Sequence, residues 1–346
     1  MSKPIVALVR YEEPRASVRL AVDLCRGLDG LEPGARVFVK PNVVFWTRAA
    51  AFPKWGVITT SRLVEEAVVL LKERGAGQII IGEGLVTFKP NDMKTPAQAF
   101  ESLGYNKLQK RFGVKVFNLS QRPFERIDLG QGLALNFNTD ILHSDFVVNL
   151  PVLKTHVQTK VSLGLKNFKG VIDLASRRIC HRAGPGQDLH HLVARLAEHL
   201  PPGLTIIDGI YSLERGPSFE GRARRSDLLV ASPDVFSADK VGAAVLGHDP
   251  AGVAHLTQAA QRQGRSLDLT DLEVRGLAVE AVARPHEHSF PYNREGTLPL
   301  VLERMGVKGL TFPRYAAPLC THCTLLYGVI LRAVARAWSG RPWDDV

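Results

Sequence analysis

Residues 145–170, DFVVNLPVLKTHVQTKVSLGLKNFKG, contain the most informative pattern in the chain. The apolar, β-branched run Phe146–Leu150 is typical of a strand. The segment that follows is rich in amide, lysine and histidine side chains, namely Asn149, Lys154, His156, Lys166 and Asn167. Because such groups are costly to bury in an apolar core, the pattern predicts a buried strand that leads directly into an anion pocket.

Similar runs recur on both sides of this stretch and alternate with helix-like segments, as in a mostly parallel sheet flanked by helices. The predicted strands are Ile5–Val9, Val37–Lys40, Gln78–Ile81, Val114–Phe117, Phe146–Leu150, Thr205–Ile207 and Leu228–Ala231. Ser61 is placed to cap a helix that ends at Gly75. A hairpin is predicted over Ile127–Asn136, turning on two glycines. The fold class is therefore α/β.

A change in composition divides the chain near Arg284, where RPHEHSFPYNREG interrupts the alternation of strands and helices. We expect residues 1–284 to form the α/β domain. Residues 285–346 are expected to form a small C-terminal helical appendage that carries a CxxC motif and one final helix.

The charge of the chain favours acidic partners. Lysine and arginine number 44 against 34 acidic residues, a formal net charge of +10. Such an excess suits phosphates, acidic substrates or nucleic acid. The densest basic group, Arg222, Arg224 and Arg225, is not accompanied by a helix-turn-helix, zinc-finger or RNA-binding signature, so a nucleic-acid partner is not favoured.

The apolar segments predict a cytoplasmic protein without a membrane span. The first apolar run, before Arg10, is too short for the core of a signal peptide. The late run Leu325–Val334 is interrupted by Arg332 and falls short of the ~20 residues that a membrane span needs. With four cysteines in 346 residues, a disulfide scaffold is also not expected.

Polar residues follow four of the predicted strands at their carboxyl ends. In open parallel sheets, ligands bind in the crevice beyond these ends. Any one of these residues alone could merely start a turn, but four coinciding strand ends favour a shared cleft. The predicted ligand-binding residues are Lys40, Asn42, Glu83, Asn149, Asn167 and Asp208.

Lys154, His156 and Lys166 are the predicted catalytic residues. Burial among like charges would lower the pKa of a lysine and make it a base, and His156 could transfer a proton. The competing interpretation places each lysine on a solvated helix face. The chain has no GxxxxGK[ST] loop, no GxGxxG after the first strand and no GxSxG elbow, so a common ATPase, dehydrogenase or hydrolase is not supported.

The cysteines form a second candidate site. Cys320-Thr-His-Cys323 has the spacing with which two thiolates share a zinc ion or an iron–sulfur cluster. The remaining ligands would have to come from Cys180, His181, His322 or a partner chain, with Cys180 as the proposed third ligand, and His181 could instead face the cleft. Two alternatives stay open. The pair could be a redox-active dithiol at a helix N-terminus, or two unliganded thiols near a packed tail.

Four segments taken together resemble a known family, the "domain of unknown function 362" family: VFVKPNVV, TTSRLVEEAVVLLKERGAGQIIIGEG, VVNLPVLKTHVQTKVSLGLKNFKGVI and LTIIDGIYSLERG. The resemblance covers roughly residues 35–250 and implies an α/β domain. It also implies that the nine candidate ligand-binding and catalytic residues occupy motif positions. Some members carry ferredoxin-like segments, but this chain lacks their C-x2-C-x2-C-x3-C-P run.

Two functional hypotheses follow. In the first, the chain is an enzyme, with an oxidoreductase as the class considered, that binds an anionic small molecule in a Lys/Asn/His cleft. In the second, it is a non-catalytic metal or iron–sulfur carrier that uses CTHC and acts with a redox partner protein.

Overall fold

The computed structural model describes residues 3–46, 48, 55–87, 92–130, 132–182, 188–217, 221–289 and 291–311, with positions 333, 336 and 337 further on. The strands are β1 (Ile5–Arg10), β2 (Arg36–Pro41), β3 (Gln78–Glu83), β4 (Lys115–Asn118), β5 (Phe124–Gly130), β6 (Leu133–Asn138), β7 (Phe146–Leu150), β8 (Val152–His156), β9 (Lys160–Ser162), β10 (Gly203–Glu214), β11 (Arg222–Ser232) and β12 (Glu273–Gly276). The helices are α1 (Pro14–Leu24), α2 (Ser61–Glu73), α3 (Lys94–Ser102), α4 (Tyr105–Phe112), α5 (Thr139–Leu142), α6 (Gly164–Asn167), α7 (Leu174–Ile179), α8 (Leu189–Leu196), α9 (Val235–Val245), α10 (Ala254–Gln263), α11 (Val279–Val282) and α12 (Leu300–Arg304).

The main sheet is mixed and mostly parallel, which confirms the predicted α/β class. Its strands follow the order β12-β1-β11-β10-β7-β2-β3-β4, and the five strands from β10 to β4 are parallel to one another. β11 is antiparallel to both of its neighbours. β8 pairs with β10 and forms a hairpin with β9. β5 and β6 form a separate hairpin, which is the one predicted from the sequence.

Helices cover both faces of the sheet, so its central strands are apolar throughout. Helices α1 to α4 pack on one face, where α2 buries the apolar stripe that its sequence predicts. Helices α6 and α8 to α11 pack on the other face. In the part of the chain that the structure describes, no helix is both long and apolar enough to cross a membrane.

The order of the parallel strands reverses between β2 and β7. β3 lies beside β2, and β4 lies beside β3 at the edge of the sheet. The later strands β7 and β10 lie on the opposite side of β2. Such a reversal opens a crevice beyond the carboxyl ends of the strands. The register sets Lys40 opposite Asn149, and Asn149 opposite Thr205, so polar groups from three strands lie side by side at the crevice.

Local details differ from the sequence-based predictions in two places. Thr60, not Ser61, is the N-cap of α2, and its backbone N–H is bound by the carboxylate of Asp208. Residues 152–162 form the β8–β9 hairpin, where we expected a strand end followed by a polar segment.

The start of the predicted C-terminal appendage contacts the main sheet. The backbone oxygen of Glu287 accepts hydrogen bonds from Thr155 Oγ1 at 2.9 Å and from Arg215 N at 2.7 Å. The CTHC motif and the final helix lie outside the described residues, so this part of the domain division stays a prediction.

Candidate functional site

A buried ion pair joins the carboxyl ends of β2 and β3. Lys40 Nζ lies 3.0 Å from Glu83 Oε1, and neither side chain has any exposed surface. The carboxylate also accepts hydrogen bonds from the backbone N–H groups of Val43 and Gly84, both at 2.8 Å. Burial lowers the pKa of Lys40, and the charge of Glu83 opposes that shift. The pair therefore fixes the two strand ends and the loop after β2 to one another.

Three buried amides form a chain beside this ion pair. Asn42 Nδ2 donates to Asn167 Oδ1 at 2.9 Å, and Asn167 Nδ2 donates to Asn149 Oδ1 at 2.8 Å. Asn149 Nδ2 donates in turn to the backbone oxygen of Gly164 at 3.1 Å. Because all three amides are satisfied by protein groups, the chain ties β2, β7 and α6 together behind the crevice.

Lys154 closes the network from β8. Its Nζ donates to Asn42 Oδ1 at 2.6 Å and to the backbone oxygen of Val57 at 2.9 Å. Burial lowers the pKa of Lys154 from 10.5 to about 7, with Lys40 adding to the shift and Glu83 opposing it. A neutral amine carries two protons, which these acceptors use, and one lone pair that can take up a proton.

We expect Lys154 to titrate about three pH units below ordinary lysines. Between about pH 7 and 10.5 the unfolded chain holds a proton that the folded chain has released, so stability rises with pH over this range. The measurement is ¹³Cε NMR of lysine-labelled protein, with the signal assigned by its loss in Lys154→Met. A midpoint near 10 would contradict the expectation, as would a stability difference between wild type and Lys154→Met that does not change with pH.

A cationic shell lies next to this network and consists of His156, Lys166, Lys169 and His181. His156 is buried at the end of β8, and its Nδ1 accepts a hydrogen bond from Gln158 N at 3.1 Å. Burial lowers its pKa well below 6.5, and the nearby charges of Lys166, Lys154, Lys169 and His181 lower it further. His156 is therefore neutral at pH 7, with its proton on Nε2, where it serves as a hydrogen-bond donor.

Lys169 is a member of this shell that was not predicted, and the sequence indicated His181 only as a candidate metal ligand or as a residue that could face the cleft. Lys169 Nζ lies 2.5 Å from His181 Nε2, and both residues are half-buried. Lys169 belongs to the same KNFKG run as Lys166, so its proximity in sequence was an available signal. His181 comes from the end of α7, and only the tertiary structure brings it to Lys169.

Arg177 was also missed, and its guanidinium packs against the glycine that follows Glu83. Its guanidinium donates to the backbone oxygens of Gly84 at 2.7 Å and Gly170 at 2.6 Å. A Cβ at Gly84 would lie 2.2 Å from Arg177 Nη2, and one at Gly170 would lie 2.8 Å from Glu83 Oε1. The glycine after Glu83 thus allows close packing, which is a structural role rather than that of a nucleotide-binding loop.

Asp208 is buried in the crevice region but binds backbone groups. Its Oδ2 accepts from Thr60 N at 2.6 Å, and its Oδ1 accepts from Ile210 N at 3.1 Å. Burial raises the pKa of Asp208, and both hydrogen bonds oppose that rise. Its observed contacts hold the N-terminus of α2, and it makes no direct hydrogen bond to the Lys/Asn network among the described residues.

Asp239, on α9, holds the short helix that carries Lys166 and Asn167. Its two carboxylate oxygens accept from Gly164 N at 2.6 Å and Leu165 N at 2.9 Å, the first amides of α6. Burial raises the pKa of Asp239 to about 7 against the effect of these two bonds. No pattern in the sequence marks this residue, because its partners lie more than 70 positions away.

The predicted metal ligands are only partly described. Cys320 and Cys323 lie outside the described residues, so their binding of zinc or an iron–sulfur cluster stays a prediction. Cys180 lies in the apolar core, and burial raises the pKa of its thiol despite the nearby charges of Lys169 and Arg177. The role of Cys180 as a third ligand also stays a prediction, because the two cysteines that would share the metal with it lie outside the described residues.

The structure thus brings together six of the nine predicted ligand-binding and catalytic residues through direct contacts. These are Lys40, Asn42, Glu83, Asn149, Lys154 and Asn167. His156 and Lys166 belong to the adjacent cationic shell, and Asp208 lies apart from both groups. These six side chains are buried and bind one another or nearby backbone groups, and their predicted contact with a ligand stays a prediction.

Several known proteins are similar to this chain. The thylakoid-associated protein sll1697 of Synechocystis sp. is 28% identical over 252 residues, which cover 72% of this chain and 74% of that one. Two solved structures are also similar: the lactate racemase apoprotein of Thermoanaerobacterium thermosaccharolyticum, with a TM-score of 0.40 and 16% identity, and a Thermotoga maritima protein, with a TM-score of 0.39 and 13% identity. The matches cover 60% and 74% of this chain, but only 51% and 60% of those two chains.

The resemblance seen in the sequence is confirmed by a family model. The model called Domain of unknown function (DUF362) matches residues 37–244, which include every strand end that contributes to the buried network. Since this match spans more than half of the 346 residues, the chain belongs to the DUF362 family.

Proposed function

We propose that this protein is an enzyme that binds an anionic small molecule at the carboxyl ends of β2 and β7. The observation that carries the proposal is the cationic shell around the buried imidazole of His156. Three cationic or basic side chains, Lys166, Lys169 and His181, act on the pKa of this neutral hydrogen-bond donor. Lys166 directly precedes Asn167, which binds Lys40 O on β2 and Asn149 Oδ1 on β7. Such sites favour oxyanions, because each charge-assisted hydrogen bond is stronger than a neutral one.

Lys166 and Lys169 are the proposed anion-binding residues. Both side chains are half-buried, and the charge of each lowers the pKa of His156, so both lysines lie close enough to His156 to act on the same bound anion. A carboxylate or phosphate bound there would offset the cost of gathering these charges. His156 Nε2–H would donate a further hydrogen bond to the same ligand or to its reacting group.

Lys154 is the proposed base. A general acid or base works best when its pKa is near the working pH, and the pKa of Lys154 is about 7. Its two hydrogen bonds, to Asn42 and Val57, use both protons of the neutral amine and hold the nitrogen in place. The proposed chemistry is therefore proton transfer on a small carboxylate or phosphate. The oxidoreductase class would need the CTHC site and stays a prediction.

The test is ligand binding by the double variant Lys166→Gln/Lys169→Gln. A panel of small carboxylates and phosphate monoesters is screened by thermal shift, and hits are measured by calorimetry. We expect binding at least about 100-fold weaker, because two charge-assisted hydrogen bonds of about 1.5–3 kcal/mol each are lost. The matched control is Lys107→Gln/Lys110→Gln, which removes the same charge from the exposed face of α4.

Two outcomes would contradict the proposal. Equal weakening in both double variants would indicate a general effect of net charge. Unchanged binding of every hit in Lys166→Gln/Lys169→Gln would place the ligand elsewhere on the protein.

A further inference from the structure

A pocket of about 240 Å³ lies at the carboxyl end of β1, and none of its lining residues belongs to the candidate site. We call it the arginine pocket, and its polar wall consists of Arg10, Arg224, Arg225, Ser226, Arg284 and His286. The Arg224-Arg225 pair belongs to the densest basic group in the sequence, which the proposed function does not use.

The positive charge of the arginine pocket is only partly neutralised. Arg224 forms an ion pair with the buried carboxylate of Glu214, which Arg222 shares, and Arg225 pairs with Asp227. Among the described residues, Arg10 and Arg284 contact only backbone oxygens, at 3.5 Å and 2.8 Å. Two guanidinium groups at the pocket therefore lack a carboxylate partner within the described part of the chain.

Arg224 also presents an unsatisfied donor. Its Nε is buried and has no hydrogen-bond partner among the described residues, although its other nitrogens bind Glu214 and the backbone oxygen of Pro285. A buried donor without an acceptor is costly, so such a group needs a ligand or water.

The wall of the pocket is held by a chain of hydrogen bonds. His286 Nδ1 lies 2.6 Å from the backbone oxygen of Arg284, an acceptor only, so Nδ1 carries the proton and Nε2 accepts from Ser212 Oγ at 2.7 Å. Ser212 in turn accepts from Ser226 Oγ at 2.7 Å. A β-bulge places Asp227 at φ 50° directly after Ser226. These contacts fasten residues 284–286 to β10 and β11 and position Arg284 before any ligand binds.

We propose that the arginine pocket binds the phosphate group of a small phosphorylated molecule. The planar fork of arginine matches the oxygen geometry of phosphate, and several arginines converge here. The volume lies below that of typical drug-sized sites, which suits a phosphate with a few carbon atoms. Leu153, Leu228 and Val282 line the apolar side, where those carbons would lie.

The experiment measures binding of inorganic phosphate, butyl phosphate and butyrate by calorimetry at fixed ionic strength. The test variant is Arg10→Gln/Arg284→Gln, because both residues are exposed and neither pairs with a buried carboxylate. The control is Arg126→Gln/Arg304→Gln, which removes the same charge from exposed positions outside the pocket. We expect butyl phosphate to bind more tightly than phosphate, and the test variant to weaken both by about tenfold or more.

The candidate site provides the second arm of the experiment. Lys166→Gln/Lys169→Gln should leave unchanged the phosphate-binding event that Arg10→Gln/Arg284→Gln weakens, and any separate binding event that it removes belongs to the candidate site of the proposed function. The proposal is overturned if that variant abolishes phosphate binding while Arg10→Gln/Arg284→Gln does not, if the arginine control weakens binding equally, or if no phosphate compound binds. Stronger binding of butyrate than of butyl phosphate would also overturn it.

Discussion

Replacement of Lys40 by methionine is expected to lower the free energy of unfolding by about 3–5 kcal/mol, the usual cost of removing one partner of a buried ion pair. Glu83 would keep its bonds to Val43 N and Gly84 N but would lose the one ion-pair partner that it has among the described residues, in a position with no exposed surface. The measurement is urea unfolding followed by circular dichroism at pH 7.

The double variant Lys40→Met/Glu83→Gln distinguishes the cost of leaving a buried charge unpaired from the cost of changed packing. Because no unpaired charge is left in the interior, it should recover part of the stability lost by the single variant. Lys107→Met, at an exposed site on α4, is the matched control and should stay within about 0.5 kcal/mol of wild type. A loss below about 1 kcal/mol in Lys40→Met would show that the ion pair is not a major support of the strand ends.

Replacement of Asp239 by alanine is expected to cost about 3 kcal/mol or more. The carboxylate is the acceptor for two buried amides, Gly164 N and Leu165 N, and each buried donor left unsatisfied costs about 1–3 kcal/mol. Because these amides begin α6, the change should also displace Lys166 and Asn167 and weaken binding at the candidate site. Asp239→Asn keeps one acceptor oxygen and should lose less.

The pH dependence of stability gives an independent check on Asp239. Its pKa is raised from 3.8 to about 7, so between these values the folded chain holds a proton that the unfolded chain has released. Unfolding then releases a proton, and the contribution of Asp239 to stability falls as pH rises from about 4 to 7. This slope should disappear in Asp239→Asn. A variant that retains the full slope, or an Asp239→Ala protein as stable as wild type, would contradict the assigned role.

The predictability of the site differs from residue to residue. Asn149 could be placed at a strand end because the strand before it is uniformly apolar, and such runs are typical of parallel strands buried on both faces. Lys154 and His156 were expected near that end but not within a strand. The β8–β9 hairpin depends on pairing with β10, about 50 residues away, and local patterns do not encode such pairing.

Burial was harder to predict than proximity. Lysine is rarely found fully buried, so Lys40 and Lys154 were expected to face a ligand or water. Their partners, Glu83, Asn42 and the backbone oxygen of Val57, come from separate segments and are identified only when the chain is folded. The same holds for Asp239, which accepts hydrogen bonds from backbone N–H groups, and for Arg177, which donates to backbone oxygens. Backbone groups carry no sequence signature.

The sequence by itself determined the α/β class, the family and the fact that polar side chains gather where apolar strands end, because side-chain periodicity and composition are local properties. Only the tertiary structure decided which of those side chains neutralise one another and which gather in the cationic shell. The physical reason is that burial makes an unpaired charge costly, and the partner that relieves this cost can come from any distance along the chain.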